Sequence, residues 1–258
     1  MNILVLGDVV GAAGLDAVCK KLPRLRKELS ADAVIVNGEN ASMGRGNGLT
    51  ASDAEDLLAA GADIITGGNH SFRQRNIYTL YDESMRLLRP ANYHGACPGR
   101  GHTILPVSGR NMLVVNLAGR VNMDPCDNPF ETLERILKAE KGKYDFAVVD
   151  FHAEATSEKI ALAFAFKDRV SIFFGTHTHV PTADERVLPG GCGFITDVGM
   201  CGPTDSALGV KVELIIDKLK TGMPCRFEIS DNPVELQGAV FTIDDKTMRC
   251  VDVRRVKY

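Results

Sequence analysis

The chain has 258 residues, 45% hydrophobic and 24% charged, which are ordinary proportions for a soluble globular protein. Its net charge of −3 argues against broad nucleic-acid binding through phosphates, although a bound metal could still attract an anionic substrate. No apolar run approaches the ~20 residues of a membrane span, and the first apolar run, at 3–6, is too short for a signal peptide. The seven cysteines are odd in number and never spaced Cys-x-x-Cys, which predicts reduced thiols in a cytoplasmic protein.

Short apolar runs alternate with helical patterns through the first two thirds of the chain. Strands are predicted at 3–6, 33–38, 63–66, 146–151 and 170–174, and helices at 12–29, 50–60, 129–140 and 160–166. Thr50 or Ser52 is the predicted N-cap of the second helix, and Glu55 has capping-box spacing from Ser52. The alternation predicts a largely parallel central sheet.

The last third has a different pattern. Strands are predicted at 193–197, 224–230, 234–243 and 248–256, with a hairpin turn at 244–246, and 208–219 offers the only helix. An α/β part followed by a β-rich part suggests two facing sheets with helices outside. We predict one domain over residues 1–258.

Residue types that bind metals follow five of the predicted strands. They are Asp8, Glu39, Asn40, Asn69, His70, His152, His177 and His179. Open α/β sheets bind ligands at the carboxyl ends of their strands, so these side chains are expected on one rim. His177 and His179 are alternate residues of a strand-like segment, which would turn both to the same side.

Carboxylate and amide oxygens with imidazoles, and no thiolate, suit Fe, Mn, Zn or Co. The set exceeds what one tetrahedral ion needs, whereas two ions roughly 3.5–4 Å apart would use it fully, with Glu39 able to bridge them. Taken singly, Asp8 could be a cap, His152 a packed histidine and 38–40 a turn. The joint pattern carries the prediction of a metal site.

A Gly-rich turn at 7–14 invites a dinucleotide-binding interpretation. Its spacing is G-x-x-x-G-x-x-G, however, and not the G-x-G-x-x-G of that fingerprint. That interpretation also leaves the histidines unexplained.

The order of the motifs resembles the calcineurin-like metallophosphoesterases, with Gly-Asp, Gly-Asn-His, a later lone histidine and Gly-x-His-x-His. Three details depart from common members of that superfamily. Asp8 is not followed by histidine two residues on, Glu39 stands where aspartate is usual, and Ser71 replaces an acidic residue. These departures match the YmdB-like bacterial phosphodiesterases. The stretches that resemble this branch are 36–41, 66–70, 89–93, 150–159 and 175–184.

The resemblance implies a four-layer α/β/β/α sandwich with a dinuclear centre. It assigns Asp8, Asn40 and His179 to the first metal. It assigns Asn69, His152 and His177 to the second, with Glu39 bridging. Asn40 would replace the histidine that the first motif lacks. The resemblance also implies cyclic-nucleotide phosphodiesterase activity, on 2',3'- or 3',5'-cyclic AMP-type substrates, and a role in switching bacterial developmental states.

Phosphodiester hydrolysis at such a centre would use a hydroxide bridging the metals and a proton donor for the leaving oxygen. His70 adjoins the ligand Asn69 without being needed as a ligand, so it is the candidate general acid; a substrate-orienting role is the alternative. Asp150 could support His152, or belong to a helix-cap network. The Gly/Pro-rich stretch 89–101 is predicted to be a loop near the rim.

Two other function classes stay open from the sequence. One is a dinuclear-metal nucleotidase or other phosphomonoesterase, including a phosphoprotein phosphatase. The other is a non-catalytic nucleotide sensor. The expected partner is a small-molecule phosphodiester, and the sequence does not decide between a monomer and a homo-oligomer.

Overall fold

The computed structural model describes residues 1–258. The strands are β1 (Asn2–Leu6), β2 (Asp8–Val9), β3 (Ala31–Asn37), β4 (Ile64–Thr66), β5 (Leu87–Leu88), β6 (His102–Val107), β7 (Arg110–Ala118), β8 (Phe146–His152), β9 (Ile172–Thr176), β10 (Arg186–Leu188), β11 (Cys192–Ile195), β12 (Met200–Pro203), β13 (Val234–Ile243) and β14 (Cys250–Lys257). The α-helices are α1 (Gly11–Glu28), α2 (Ala51–Ala60), α3 (Tyr78–Glu83), α4 (Pro129–Ala139), α5 (Thr156–Phe166) and α6 (Val212–Thr221). None of these helices has the length and apolar character needed to cross a membrane.

The strands form two mixed sheets. The first has the order β2-β12-β13-β1-β3-β4-β5, with β14 beside β13, and β1, β3, β4 and β5 run parallel. The second has the order β10-β11-β9-β8-β7-β6, with a parallel centre and antiparallel edges. The parallel part is therefore divided between two sheets and does not form one central sheet. The C-terminal strands β13 and β14 join the first sheet, so the sheets do not separate where the sequence changes character.

Three apolar layers hold the sheets and helices together. Alternate residues of a strand face opposite sides, so Ile3 and Val5 of β1 pack between the sheets, while Leu4 and Leu6 pack beneath α1 and α2. The outer face of the second sheet packs on α4 and α5. Because both faces of each sheet are covered, the sequences of the central strands are continuous apolar runs. This arrangement confirms the predicted α/β/β/α sandwich.

Helix α2 begins and ends as local chemistry requires. The Thr50 side chain accepts a hydrogen bond from the Asp53 backbone N–H, and Gly61 ends the helix at φ 112°. Of the two predicted N-caps, Thr50 is the one used. Ser52 lies within the helix, so the predicted capping box with Glu55 does not form.

Two predictions for the last third are wrong in detail. The predicted strand 224–230 is not a strand, since Ile229 alone makes an isolated bridge, to Val210, and no sheet edge runs alongside the segment. The predicted helix 208–219 begins only at Val212, because Leu208 and Gly209 have φ of 56° and 95°, which a right-handed helix does not accept.

Candidate metal centre

The eight predicted site residues come together where the carboxyl ends of strands from both sheets meet. Asp8 opens β2, residues 39–40 follow β3, and residues 69–70 follow β4 in the first sheet. From the second sheet, His152 ends β8, and His177 and His179 follow β9.

Short distances connect these side chains. The ring of His152 is central: its Nε2 lies 2.9 Å from Asn69 Oδ1, 3.1 Å from His177 Nδ1 and 3.4 Å from Glu39 Oε2. One ligand atom each from Glu39, His152 and His177 falls within 4.8 Å of the others. Asp8 Oδ1 lies 3.7 Å from His179 Nε2, on the other side of the cluster.

The two histidines after β9 reach the site in a different way from the one predicted. Strand β9 ends at Thr176, and His177 and His179 lie beyond it with φ of 101° and 63°. Residues other than glycine rarely adopt such angles, which cost of order 1–3 kcal/mol each and cluster at functional sites. Strand alternation is therefore the wrong reason for their shared direction, and a strained loop is the right one.

Two features of the site fit a bound cation. Asp8 is fully buried, and its Oδ1 has no hydrogen-bond partner, although buried polar atoms are nearly always paired. Gly68 leaves the space that a side chain would fill, because a Cβ there would collide with both Glu39 Oε2 and His152 Nε2. An unpaired carboxylate oxygen among imidazoles and a second carboxylate is a suitable donor set for a divalent ion.

The charges of the cluster also suit a cation. Burial alone would raise the pKa of Glu39, but His152 and His70 outweigh it and hold that pKa well below its usual range. Burial opposes a proton on His152, yet Glu39 and Asp8 raise its pKa to about 9. Burial and the charge on His152 lower the pKa of His177 to about 3, so this ring is neutral, the form that binds metals. A divalent ion would displace the proton of His152.

A buried relay orients His152. Its Nδ1 lies 2.9 Å from Thr176 Oγ1, whose hydroxyl donates to Asp150 Oδ1 at 2.8 Å. Because that hydroxyl proton points to Asp150, Thr176 accepts from His152 Nδ1–H, which leaves Nε2 free to bind a metal. Burial raises the pKa of Asp150 to about 6. Of the two interpretations left open for Asp150, the structure supports the one in which it supports His152.

The loop that carries His177 and His179 rests on a buried ion pair. Lys159 of α5 donates to Asp197 Oδ2 at 2.7 Å, and both side chains are about 1% exposed. The same carboxylate oxygen accepts from the Thr178 backbone N–H at 3.2 Å. The pair thereby holds the backbone between the two histidines.

His70 stands at the edge of the cluster. Its Nδ1 lies 2.8 Å from Asn40 Oδ1, and its backbone N–H donates to Glu39 Oε2 at 2.8 Å. Its Nε2 makes none of the hydrogen bonds of the site. The Asn40 amide nitrogen lies 3.1 Å from His179 Nε2, so binding of a metal through the amide oxygen requires the amide to rotate.

A cavity of about 320 Å³ opens onto the cluster. Glu39, His70, His177 and His179 line it, together with an apolar wall. The apolar side chains are Met43, Ala207, Leu208, Val210, Ile215 and Phe227. Nothing in the sequence singles out these residues, because they come from loops and a helix edge that the fold alone assembles.

Sequence reasoning also misses one polar residue of this cavity. Glu154 Oε2 lies 3.1 Å from His177 Nε2 and is half exposed. Its position two residues after His152 is the available signal. A glutamate in a loop is common enough that the signal is weak without the fold.

Comparisons with known proteins agree with this picture. The family model of YmdB-like proteins matches residues 4–256. A 2',3'-cyclic-nucleotide 2'-phosphodiesterase of Bacillus subtilis (strain 168) is 42% identical over 256 residues, which are 99% of this chain and 96% of that protein.

Two solved structures share the fold over the full chain. A novel phosphatase from Mycoplasma pneumoniae has a TM-score of 0.93 and 34% identity, with 93% of that chain covered. A hypothetical protein from Thermus thermophilus has a TM-score of 0.92 and 39% identity, with 99% of that chain covered. The predicted resemblance is confirmed: the chain belongs to the YmdB-like protein family.

Proposed function

We propose that this protein is a divalent-metal-dependent phosphodiesterase that hydrolyses cyclic nucleotides. The observation that carries the proposal is the buried cluster of carboxylates and imidazoles, with the unpaired Asp8 Oδ1, open to a cavity with one apolar wall. The name of the 42% identical relative supports the cyclic-nucleotide class and favours 2',3'-cyclic substrates.

Two ions would divide the ligands between the sides of the cluster. Asp8, Asn40 and His179 would hold one, while Asn69, His152 and His177 would hold the other. Glu39 would bridge them. Manganese or iron suits this mixture of oxygen and imidazole donors best, with zinc and cobalt as alternatives. When bound, the ions would supply the positive charge that a phosphodiester needs and would activate a water molecule.

The protein's own side chains would complete the chemistry. His70 faces the cavity with Nε2 uncommitted, and its Nδ1 lies 2.8 Å from Asn40 Oδ1. When the Asn40 amide rotates to give its oxygen to a metal, its N–H would donate to His70 Nδ1, so neutral His70 would carry its proton on Nε2. An Nε2–H in this place can donate a proton to the leaving oxygen, which a ribose alkoxide needs.

The apolar wall fits the nucleoside part of the substrate. Phe227 is 41% exposed, and it lines the cavity together with Met43 and Leu208. Base–aromatic contacts tolerate every base, so this wall would bind the nucleoside without strict base selection.

The proposal is tested with the purified protein on a substrate panel, with elemental analysis of the same preparation. We expect close to two transition-metal ions per chain. We expect turnover of 2',3'-cyclic AMP and of bis-p-nitrophenyl phosphate, with little turnover of p-nitrophenyl phosphate. A preference for the monoester would identify a phosphomonoesterase, and tight nucleotide binding without turnover would identify a sensor. Full activity at a saturated stoichiometry of one ion would contradict the dinuclear assignment.

A further inference from the structure

A second and larger cavity, of about 650 Å³, lies outside the candidate metal centre. Three arginines line it, namely Arg89, Arg100 and Arg135. Arg89 directly follows β5 of the first sheet, Arg100 precedes β6 of the second, and Arg135 lies on α4. Three different parts of the fold therefore bring an arginine to the same cavity.

Arg89 is a buried arginine without an acidic partner. It is only 6% exposed, yet no carboxylate lies within ion-pair distance of it. Its single side-chain hydrogen bond goes from Nη1 to the carbonyl of Pro90 at 2.8 Å, and its buried Nε has no partner. A buried charge without a counter-charge is costly, and burial accordingly lowers the pKa of this guanidinium. An anion in the cavity would remove the penalty.

The other two arginines are equally free of acidic partners. The buried Nε of Arg100 has no hydrogen-bond partner, and its Nη1 contacts only the sulfur of Met85. Arg135 is exposed and makes no ion pair. Asp127 and Glu131 also line the cavity, so two carboxylates oppose three guanidinium groups. His102, a further lining residue, is directed to Glu140 at 3.5 Å.

This cavity lies next to the candidate metal centre. Tyr93 lines the cavity, and its hydroxyl donates to the Gly68 carbonyl at 3.4 Å. Gly68 in turn packs against Glu39 and His152. The cavity is thus separated from the cluster by one residue layer and has its own set of lining residues.

We propose that this cavity is a binding site for a phosphoryl anion, either inorganic phosphate or the phosphate of a nucleotide. The planar guanidinium group of arginine donates two parallel hydrogen bonds to phosphate oxygens, and three arginines line this cavity. The backbone of α4 begins at the cavity with its N-cap Asn128, which adds the positive end of a helix. This site goes beyond the proposed phosphodiesterase activity and does not depend on it.

Calorimetric titration of the metal-loaded protein tests the site, with inorganic phosphate and adenosine 5'-monophosphate as separate probes. Arg100→Gln and Arg135→Gln should each weaken one binding event at least about tenfold, because each removes charge-assisted hydrogen bonds. Glu131→Gln should tighten the same event, since it removes an opposing charge. The exposed Arg254→Gln is the matched control and should change nothing.

Phosphate bound at the metal centre would not respond to these changes, and turnover of bis-p-nitrophenyl phosphate should stay within about twofold in all four variants. A response with both probes would identify the phosphoryl group as the recognised part. A response with the nucleotide alone would assign the site to nucleotides. Equal affinities in wild type, Arg100→Gln and Glu131→Gln would overturn the proposal.

Discussion

The two sheets supply different chemistry to the candidate metal centre. The first sheet contributes oxygen donors from strand β2 and from the turns after β3 and β4, namely Asp8, Glu39, Asn40 and Asn69, with His70 beside them. The second contributes imidazoles, and these rest on buried polar supports: Thr176 with Asp150 beneath His152, and Lys159 with Asp197 beneath the loop.

The first sheet thus supplies the negative charge of the site, and the second supplies ligands that must be held in one orientation. A carboxylate offers several lone-pair directions and needs little alignment, whereas an imidazole binds through one nitrogen, along one axis, in one tautomer. The imidazoles of the second sheet therefore depend on the hydrogen bonds beneath them for their tautomer and direction. Substitutions in the first sheet should affect charge and reactivity, and those beneath the second should affect metal affinity.

Glu39→Gln should have the largest effect. The substitution keeps the shape of the side chain but removes a negative charge from between two proposed dications, so activity on bis-p-nitrophenyl phosphate should fall by orders of magnitude. Circular dichroism should show an intact fold. Glu55→Gln, on the exposed face of α2, is the control. Activity of Glu39→Gln within a few-fold of wild type would show that another group joins the metals.

His70→Ala tests whether His70 donates the proton to the leaving oxygen. The variant should keep its metals but lose roughly 10²–10⁴-fold in rate on 2',3'-cyclic AMP, whose ribose leaving oxygen needs a proton. The loss should be much smaller on bis-p-nitrophenyl phosphate, because nitrophenolate leaves unprotonated. The exposed His94→Ala serves as control.

An equal loss on both substrates would instead assign His70 to substrate orientation. Loss of a metal from the variant would make it a ligand.

The ligand residues could be predicted from the sequence because each is a distinctive residue type directly after an apolar strand. The supports could be predicted only in part: a supporting role for Asp150 is one of two interpretations open from its position before His152, whereas its partner Thr176 is an ordinary residue of a neighbouring strand. The apolar run predicts strand β8, but its pairing with β9, which places Asp150 beside Phe174 and His152 beside Thr176, follows only from the register.

Asp150→Asn tests the orientation role of the second sheet. An amide in this place can donate to Thr176 Oγ1, which turns the hydroxyl proton toward His152 Nδ1. His152 would then carry its proton on Nε2, the nitrogen that should bind the metal. Metal affinity should fall about 10–100-fold. Titration of the chelator-treated protein with Mn²⁺ measures the change, and the exposed Asp252→Asn should titrate like wild type. Unchanged affinity would show that the relay does not set the tautomer.

The pH dependence of metal loading gives an effect of comparable size with a defined sign. The pKa of His152 is raised to about 9, so below that pH a metal ion competes with one proton, whereas His177, with a pKa of about 3, releases none. Affinity for Mn²⁺ should therefore rise about tenfold per pH unit from pH 6 to 8. A flat profile would mean that His152 binds no metal or holds no proton.

Phe227 belongs to neither sheet, and it should show the smallest effect of the five. It is part of the apolar wall of the cavity that opens onto the metal ligands. Phe227→Ala should raise KM for 2',3'-cyclic AMP about fivefold, the low end of base–aromatic contacts, because the ring is already 41% exposed. The kcat should hold, since both sheets keep their ligands. Glycerol 1,2-cyclic phosphate, a cyclic diester without a base, should be hydrolysed equally by both proteins, and Leu219→Ala on exposed α6 should match wild type on both substrates. A comparable rise in KM for the base-free diester would show that Phe227 shapes the cavity and does not bind the base.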